Sequence, residues 1–378
     1  MKTYDRNKNV YEAAIERYEW IFDNYDTIIV SCSGGKDSTV STYLALEIAK
    51  KKKKSFYLFF LDQEIEYKYT IDFMQYMMNQ EYVIPIWFQI FAKLPNPSSV
   101  NHNVLDPWNP EKEAKWIRNK HDKAIKEITW DVKDVGASKM SAQGIKMYGF
   151  VSLIKCMEEM FKDRKGEIAQ IIGLRADESL NRFRAVTKNP GVEGIAWSTK
   201  RRYSYNFYPI YDWRFSDVWA YLGKNDLPYN KIYDLFYWKG INPNRMRLAN
   251  LIHTSSYECL NLLQEFEPET VDKMLDRVPG VATAQEYAGR AGGIYKANKL
   301  PEKFKSWLEF RNYLLDTLPN REHAELFKKR FEKQYTNDYV VKQQVNRILI
   351  TDIYGYKPIM NKEYDPSIKV REKWMEML

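Results

Sequence analysis

The sequence predicts an α/β fold, a twisted parallel sheet with helices on both faces, followed by a mainly helical C-terminal region. Two observations favour this class. Short apolar runs alternate with segments of helical periodicity from about residue 8 to residue 174. From about residue 243 onward, long polar helices rich in lysine and aromatic residues replace that alternation. We therefore expect one domain over residues 1–240 and a second over residues 241–378.

Residues 8–88 contain the first group of alternating helices and strands. Residues 8–22 have the spacing of a helix with one apolar face, and TIIVS at 27–31 reads as a buried strand. STVSTYLALEIAKK is the next helix, and the five lysines Lys50 to Lys54 suit the negative end of its dipole. SFYLFFLD is a second buried strand, and a helix at about 67–80 and a strand at about 82–88 continue the pattern. Strand–helix–strand units of this kind build a parallel sheet.

After the strand at about 82–88, the alternation of helices and strands is interrupted. AKLPNPSSVNHNVLDPWNP is rich in proline and asparagine, which predicts a long connection or a lid. GFVSLIKCMEEMFKD then reads as a helix, EIAQIIGL as a fourth strand, and PGVEGIAWSTKRRYSYN as a basic loop before the short strand FYPI. In DWRFSDVWAYL, Asp217 and Trp219 fit the capping and packing positions of a helix.

Composition narrows the class of partner. The 378 residues carry a net charge of +8, which suits an anionic partner such as a nucleotide or a nucleic acid. A lysine-rich solvated surface would explain the same charge. Cys32, Cys156 and Cys259 are far apart, so neither a disulfide scaffold nor a zinc or iron–sulfur site is supported. The N-terminus has no signal-peptide core and no apolar run approaches ~18 residues, so we expect a cytoplasmic protein without a membrane partner.

The chemistry is concentrated in SCSGGKDS, residues 31–38, which we call the phosphate loop. A strand ending at Val30, a loop, and a helix starting near Asp37 gather backbone N–H groups and a helix N-terminus around one point. Such a point attracts phosphate. Gly34 and Gly35 would let an oxyanion approach the main chain. A tight strand-to-helix turn is the alternative interpretation.

Side chains of the phosphate loop would add to this site. Lys36 supplies a positive charge, and Ser33 and Ser38 supply hydroxyl donors. The loop is not a Walker A motif, because that motif places Ser or Thr directly after its lysine, whereas here Asp37 follows.

Charged residues also follow the second and fourth predicted strands. Asp62 and Glu64 lie just past the second strand, where open parallel sheets bind ligands, and could hold a ribose, an adenine or Mg²⁺. Arg175 follows the fourth strand and could bind a phosphate bidentately, with Glu178 orienting it or binding a metal and Arg182 one helical turn beyond. Solvated acids and a surface ion-pair cluster are the alternatives.

A further basic run, Lys200, Arg201 and Arg202, lies in the predicted loop that contains glycine. A solvated loop explains these residues as well as an anion site does.

Four separated motifs resemble one family. SGGKDS matches the PP-loop of the N-type ATP pyrophosphatases, which cleave ATP between the α and β phosphates or bind an adenylyl sulfate. GLRADESLNR, YPIYDWRFSDVWAYLGKNDLPYNKIYD and FLDQEIEY resemble motifs of the phosphoadenosine phosphosulfate (PAPS) reductase family, in the family's order. The agreement covers roughly residues 25–240. It implies a fold like the adenine nucleotide alpha hydrolases.

The resemblance implies roles for particular residues. Lys36, Asp37 and Arg175 would be catalytic, Asp37 and Glu178 would bind Mg²⁺, and the ligand would be ATP or PAPS, without an iron–sulfur cluster. The expected nucleotide contacts are Ser31, Ser33, Gly34, Gly35, Lys36, Asp37, Ser38, Asp62, Glu64, Gly173, Arg175, Glu178, Arg182, Lys200, Arg201 and Arg202. The family uses basic residues such as the last three around the terminal sulfate or phosphate.

With its insertion WNPEKEAKWIRNKHDKAI and its helical tail beginning NPNRMRLANLI, the whole chain most resembles the IbrA-like group of this family, which phages and plasmids carry. Members of that group are often encoded beside a small ParB-like protein, so the resemblance also implies a ParB-like partner.

The sequence departs from the family at the reductase cysteine. Sulfonucleotide reductases use a C-terminal ECGxH segment, whereas the nearest match here is YECL with Cys259, without the Gly and His. Three functions stay open: an ATP α–β pyrophosphatase or adenylyltransferase with an unknown acceptor, a sulfonucleotide reductase that uses Cys259, and a nucleotide-sensing regulator that binds nucleic acid without turnover.

Overall fold

The computed structural model describes residues 7–96, 98–99, 102, 104–132, 139–140, 146–163, 167–187, 191–192, 194–201, 203–243, 246, 248, 251, 257–282, 299–334, 336–353 and 359. The chain divides into two compact units, Met1–Pro95 with Val104–Val278, and Asn96–Asn103 with Pro279–Leu378. The domain boundary near residue 240 stays a prediction. Among the described residues, we find no helix with the length and apolar character needed to cross a membrane.

In the part of the chain that the structure describes, the first unit alternates strands and helices, and short 3₁₀ helices, including Pro110–Lys115 and Ala176–Glu178, lie in its connections. Its elements are α1 (Val10–Asn24), β1 (Thr27–Ser31), α2 (Lys36–Lys52), β2 (Phe56–Leu61), α3 (Lys68–Met78), β3 (Val83–Phe88), β4 (Ala92–Pro95), β5 (Val104–Leu105), β6 (Lys139–Met140), β7 (Lys146–Gly149), α4 (Phe150–Glu159), β8 (Ile168–Ile172), α5 (Leu180–Thr187), β9 (Ser198–Lys200), β10 (Ser204–Phe207), α6 (Phe215–Lys224), α7 (Ile232–Trp238), α8 (Tyr257–Phe266) and α9 (Pro268–Arg277).

Among the described residues, six strands form the main sheet in the order β3-β2-β1-β8-β10-β9, and of these only β9 runs antiparallel to its neighbour. The chain leaves β1 toward β2 on one side and later returns to β8 on the other. Ligands of open parallel sheets bind at such a switch point, at the carboxyl ends of the strands. Ser31 of β1 pairs with Ile172 of β8 at this carboxyl edge, whereas Thr27 pairs with Ile168 at the amino edge.

Both faces of the main sheet are covered, because successive residues of a strand point to opposite sides. Ile28 and Val30 of β1 join a core formed with α1, α2, α3 and α6. Ile29 joins the opposite core, which α4 and residues next to β4 supply. The predicted class, a parallel sheet with helices on both faces, is confirmed.

Local signals explain where the first two helices begin and end. Asn9 and Glu12 form a capping box at the start of α1, in which each side chain accepts from the other residue's backbone N–H. Helix α2 ends at Lys52, and Lys53 adopts a left-handed conformation with φ of 51° that terminates it. Lysines fill the last turn of α2, as the sequence predicted.

The interrupted segment after β3 contributes β4 and β5 to a second sheet, whose described strands have the order β5-β4-β7-β6. Strands β4 and β7 are parallel, and the outer strands pair antiparallel with them. The segment that follows β5 carries Trp108 and Arg118, both of which contact the end of β2. The predicted long connection is therefore a structured insertion at the carboxyl edge.

The expectation of a loop over 190–206 was wrong, because β9 and most of β10 lie within it. FYPI was expected to be a strand, but β10 ends at Phe207 and turns follow. The strand was hard to recognise because Ser204 and Asn206 occupy buried positions where apolar residues are usual. Ser204 Oγ is satisfied by donating to Glu158 Oε1 of α4 at 2.7 Å.

The described part of the second unit contains three helices, which bears out the helical C-terminal region. They are α10 (Trp307–Thr317), α11 (Arg321–Phe331) and α12 (Asp338–Leu349). Ser306, Asn320 and Asn337 cap their N-termini, because each side-chain oxygen accepts from a backbone N–H three residues later. Leu315, Phe327, Phe331 and Ile348 form their shared core.

Candidate functional site

The phosphate loop connects the carboxyl end of β1 to the first turn of α2. Gly34 has φ of +73°, a conformation that side-chain-bearing residues rarely adopt. Gly35 is the N-cap of α2 and has no side chain with which to cap it. The backbone N–H groups of the first turn are therefore available for partners from outside the helix.

Ser38 organises the interior of the loop. Its hydroxyl donates to the Gly35 carbonyl at 2.9 Å and accepts from the Ser33 N–H at 3.2 Å. Ser33 Oγ lies 3.4 Å from Ser38 Oγ. The two serines predicted as phosphate donors thus also hold the loop in its conformation.

Lys36, Asp37 and Arg175 come together at the start of α2. Lys36 Nζ lies 3.2 Å from Asp37 Oδ2, and Arg175 Nε lies 2.5 Å from Asp37 Oδ1. Arg175 Nη1 also pairs with Asp177 Oδ1 at 2.5 Å, and Lys36 Nζ donates to the Met246 carbonyl at 3.3 Å. The two cations and two carboxylates of this cluster balance in charge.

Gly173 contributes by its lack of a side chain. A Cβ at this position would lie 2.8 Å from the carbonyl oxygen of Asp37 and 2.8 Å from Cα of Ser38. The end of β8 therefore approaches the backbone of α2 so closely that only glycine fits. The structure places Gly173 beside the loop as a packing position.

Glu178 and Arg182 lie next to this cluster on the 3₁₀ helix and α5. Glu178 Oε2 is 3.5 Å from Arg182 Nε, and both side chains are partly exposed. Their predicted roles in metal and phosphate binding stay predictions.

Asp62 is buried in a network of hydrogen bonds at the end of β2. Its Oδ2 accepts from Trp87 Nε1 at 3.0 Å and from Gln89 Nε2 at 2.8 Å. Its Oδ1 accepts from the Glu64 N–H at 2.9 Å and pairs with Arg118. Both oxygens are engaged within the protein, so the structure does not present Asp62 to a ligand.

Glu64 is also fully buried, and it has φ of +68°. Arg277 of α9 donates from Nε and Nη2 to its two carboxylate oxygens at 2.8 and 3.0 Å. Arg277 Nη1 reaches Asp106 Oδ1 at 2.9 Å, and the Trp108 N–H donates to Glu64 Oε2 at 2.7 Å. These carboxylates raise the pKa of Arg277 although burial opposes it. Glu64 thus joins the insertion and α9 to the carboxyl edge.

Lys200 and Arg201 lie away from the phosphate loop. Arg201 N–H donates to the Ser204 carbonyl, and Ser204 pairs with Ile168 at the amino edge of the sheet. A four-residue strand spans about 13 Å, so β10 separates these cations from the carboxyl edge. Arg201 instead pairs with the buried Glu158 at 2.7 Å. Arg202 lies outside the described residues.

Asn230 and Tyr233, which sequence reasoning missed, also contact the loop directly. Asn230 Nδ2 donates to the Gly34 carbonyl at 3.4 Å and to Thr70 Oγ1 at 2.9 Å. The Lys36 N–H donates to Tyr233 Oη at 3.0 Å. Both belong to LPYNKIYD, which carried part of the family resemblance, but only the fold shows that this segment lies against the loop.

The two described cysteine side chains are buried, and their pKa values are raised. Cys32 is buried within the phosphate loop, and burial raises its pKa. Cys156 is buried under the sheet, and burial raises its pKa to about 11. The side chain of Cys259, on α8, lies outside the described part of the chain.

No cluster of three or more metal-ligating side chains occurs among the described residues. Mg²⁺ needs fewer protein ligands when it is bound together with nucleotide phosphates, usually one or two carboxylates. Asp37 and Glu178, whose side chains are 16% and 20% exposed, stay the predicted carboxylate ligands of such an ion.

A glycine-containing loop between a central parallel strand and a helix N-terminus, with lysine and arginine beside it, defines a nucleotide-binding PP-loop protein. The family model described as "Phosphoadenosine phosphosulfate reductase domain" matches residues 27–239. The chain belongs to this phosphoadenosine phosphosulfate reductase family. A second model, "Domain of unknown function (DUF3440)", matches residues 240–353.

Some similar proteins carry the name of an activity and others do not. "Uncharacterized protein YbdN" of Escherichia coli (strain K12) is 29% identical over 83% of this chain and 76% of its own length. An "Adenosine 5'-phosphosulfate reductase" of Staphylococcus haemolyticus is 25% identical over 63% of this chain and 76% of its own. The crystal structure of a phosphoadenylyl-sulfate reductase from Candida auris aligns over 64% of this chain and 89% of its own, with 14% identity and a TM-score of 0.35.

Proposed function

We propose that the chain is an enzyme that binds ATP at the phosphate loop and transfers its adenylyl group to an acceptor, releasing pyrophosphate. The observation that carries this proposal is the meeting of Lys36 and Arg175 at the first turn of α2. Two cations and the positive end of a helix then act on one point. That arrangement suits a polyphosphate.

The reaction follows from that placement. An acceptor nucleophile forms a bond to the α-phosphorus, and the bond from that phosphorus to the α–β bridging oxygen breaks. The loop N–H groups and Lys36 would hold the departing pyrophosphate, and Arg175 would offset the charge that develops on it. Mg²⁺, held with the phosphates by Asp37 and Glu178, would supply further charge neutralisation when bound.

Asp37 already forms ion pairs with Lys36 and Arg175, the two cations that would bind the nucleotide. Both of its oxygens face cations, so an incoming polyphosphate competes with Asp37 for Lys36 and Arg175. Mg²⁺ offers that carboxylate an alternative partner. We therefore expect nucleotide binding to depend on the divalent ion.

The test is incubation of the full chain with ATP labelled at the α-phosphate, with and without Mg²⁺. We expect labelled AMP or a labelled adenylylated product, together with pyrophosphate. Labelled ADP as the sole product would rule the proposal out, since it requires cleavage between the β and γ phosphates.

Sulfonucleotide reduction is the second candidate, because similar proteins carry the name adenosine 5'-phosphosulfate reductase. Reduction needs a thiolate that attacks the sulfate sulfur, and Cys32 and Cys156 are buried with raised pKa values. Cys259 is then the thiol left for the reaction. An external thiol must then reduce the resulting thiosulfonate to release sulfite. Sulfite release from adenosine 5'-phosphosulfate or PAPS in the presence of such a thiol, lost in a Cys259→Ser variant, would support this candidate.

A further inference from the structure

The first backbone N–H of α2 has an unusual partner. A side chain at the N-cap usually accepts from the first turn of a helix, but the N-cap here is Gly35. The Lys36 N–H donates instead to the hydroxyl of Tyr233, at 3.0 Å, nearly two hundred residues later in the chain. A phenol from α7 therefore caps the phosphate-loop helix.

Tyr233 reaches Lys36 from the interior of the protein. Its side chain is buried, and its ring packs edge-on against Trp219 and Phe236, with centroids 5.4 and 6.4 Å away. The Lys36 N–H is thus directed inward. The Lys36 ammonium lies 5.9 Å from the same ring, so Tyr233 contacts both ends of this residue.

Asn230 holds the loop on the other side of Gly35. Its amide donates to the Gly34 carbonyl and to Thr70 Oγ1 on α3. The segment from Asn230 to Tyr233 therefore forms hydrogen bonds with the loop at Gly34 and at Lys36. Two fixed points on either side of Gly35 restrict the backbone angles that the loop can adopt.

The hydroxyl of Tyr233 acts in its protonated form. Burial raises its pKa, and the nearby charges of Asp37 and Glu178 raise it further. A phenol that stays protonated cannot serve as a base near neutral pH. Its contribution is to hold the hydrogen bond from Lys36.

We infer that Tyr233 is a positioning residue, whose hydroxyl fixes the Lys36 backbone and thereby aligns the phosphate loop for the pyrophosphate portion of the nucleotide. The inference rests on the proposed function, in which the loop holds that portion. Removing the hydroxyl should weaken ligands that contain a pyrophosphate and spare those that lack it.

The test compares Tyr233→Phe with Tyr229→Phe in the full chain. Tyr229 lies in the same segment, and its hydroxyl donates to Asp234 at 2.5 Å instead of to the loop. Calorimetric titrations with ATP, inorganic pyrophosphate and AMP would be made in Mg²⁺. Hydrogen exchange at the Lys36 amide would be followed without any nucleotide.

In Tyr233→Phe we expect about tenfold weaker binding of ATP and pyrophosphate, the effect of losing one hydrogen bond near a charged ligand. AMP affinity should change less than twofold, and exchange at the Lys36 amide should accelerate. Tyr229→Phe should match the wild type in all four measurements. An equal loss for AMP would indicate a general structural defect and overturn the inference, as would unchanged exchange at Lys36.

The two proposals can fail separately. If the wild type binds none of the three probes while Lys36 exchange accelerates in Tyr233→Phe alone, the proposed function fails and the anchoring of Lys36 by Tyr233 stands. If the wild type binds ATP and Tyr233→Phe binds it equally well, the proposed function stands and the positioning role fails.

Discussion

Arg175 Nε lies 2.5 Å from Asp37 Oδ1, which joins the end of β8 to the first turn of α2. Asp37 is also the residue that separates this loop from a Walker A motif. The arginine that follows β8 and the carboxylate that follows Lys36 therefore form one unit, built from two segments of the sequence about 140 residues apart.

Replacing Arg175 tests that unit. We expect Arg175→Met to lower the rate of ATP cleavage by about 10²–10³-fold, the usual loss when a preorganised donor to a developing charge is removed. Arg175→Lys keeps the charge but loses the planar guanidinium group, and we expect a rate between those of Arg175→Met and the wild type. Initial rates of pyrophosphate release measure both variants. Full activity in Arg175→Met would contradict the role.

Lys200 provides a test of where the site lies. The structure places it at the amino edge of the sheet, so we expect Lys200→Met to bind ATP with unchanged affinity. Equilibrium titration of the wild type and the variant, at the same salt concentration, would check this. A loss of affinity of more than about threefold would favour the sequence-based expectation that this basic run binds the nucleotide.

The Glu64–Arg277 pair should dominate the stability of the carboxyl edge. Arg277→Met leaves the buried carboxylate of Glu64 without its bidentate partner, and we expect the free energy of unfolding to fall by about 3–5 kcal/mol. Urea denaturation would measure this. The double variant Glu64→Gln, Arg277→Met should regain much of the loss, because it removes the uncompensated charge. A single variant as stable as the wild type would show that the pair is dispensable.

Glu66 should make stability depend on pH. Burial raises its pKa to about 8, and the charge of Asp62 adds to the shift. Between pH 4.5 and about 8, Glu66 keeps its proton in the folded protein but loses it in the unfolded chain, so the free energy of unfolding falls as pH rises. For one group, this fall is at most about 1.4 kcal/mol per pH unit. Glu66→Gln should flatten it in unfolding measurements at pH 5–9, and an unchanged slope would exclude Glu66 as the cause.

Gly173 and Gly223 offer a matched pair of substitutions. Gly173→Ala places a Cβ 2.8 Å from the backbone of α2, so we expect a loss of about 1–3 kcal/mol in the free energy of unfolding. Gly223, in α6, faces open space, and Gly223→Ala should stabilise the protein by about 0.5–1 kcal/mol. Thermal denaturation of both variants would reveal whether the signs differ as expected.

The sequence predicted the main sheet because buried strands such as TIIVS are continuous apolar runs bounded by helices. It missed β10 because buried Ser204 and Asn206 break the apolar pattern of that strand. The phosphate loop was predictable for a related reason, since its glycines, lysine and helix start are consecutive in the chain. Local signals of this kind do not depend on distant contacts.

Long-range pairing was beyond sequence reasoning. Asp62 and Glu64 follow a strand at a ligand-binding edge, which favours a role in binding. Their engagement by Arg118 and Arg277 depends on segments about 56 and 213 residues away, and no periodicity indicates it. The same holds for Tyr233, whose position against Lys36 appears only once α7 is placed.

Helices α8 and α9 fall within the matched region that begins at residue 240, yet they complete the first compact unit. Glu267, at the start of α9, accepts from the Lys68 N–H at the start of α3, and Arg277 closes the end of β2. The two family regions are consequently not interchangeable modules. A fusion or truncation at residue 240 would therefore cut through this compact unit, which continues to Val278.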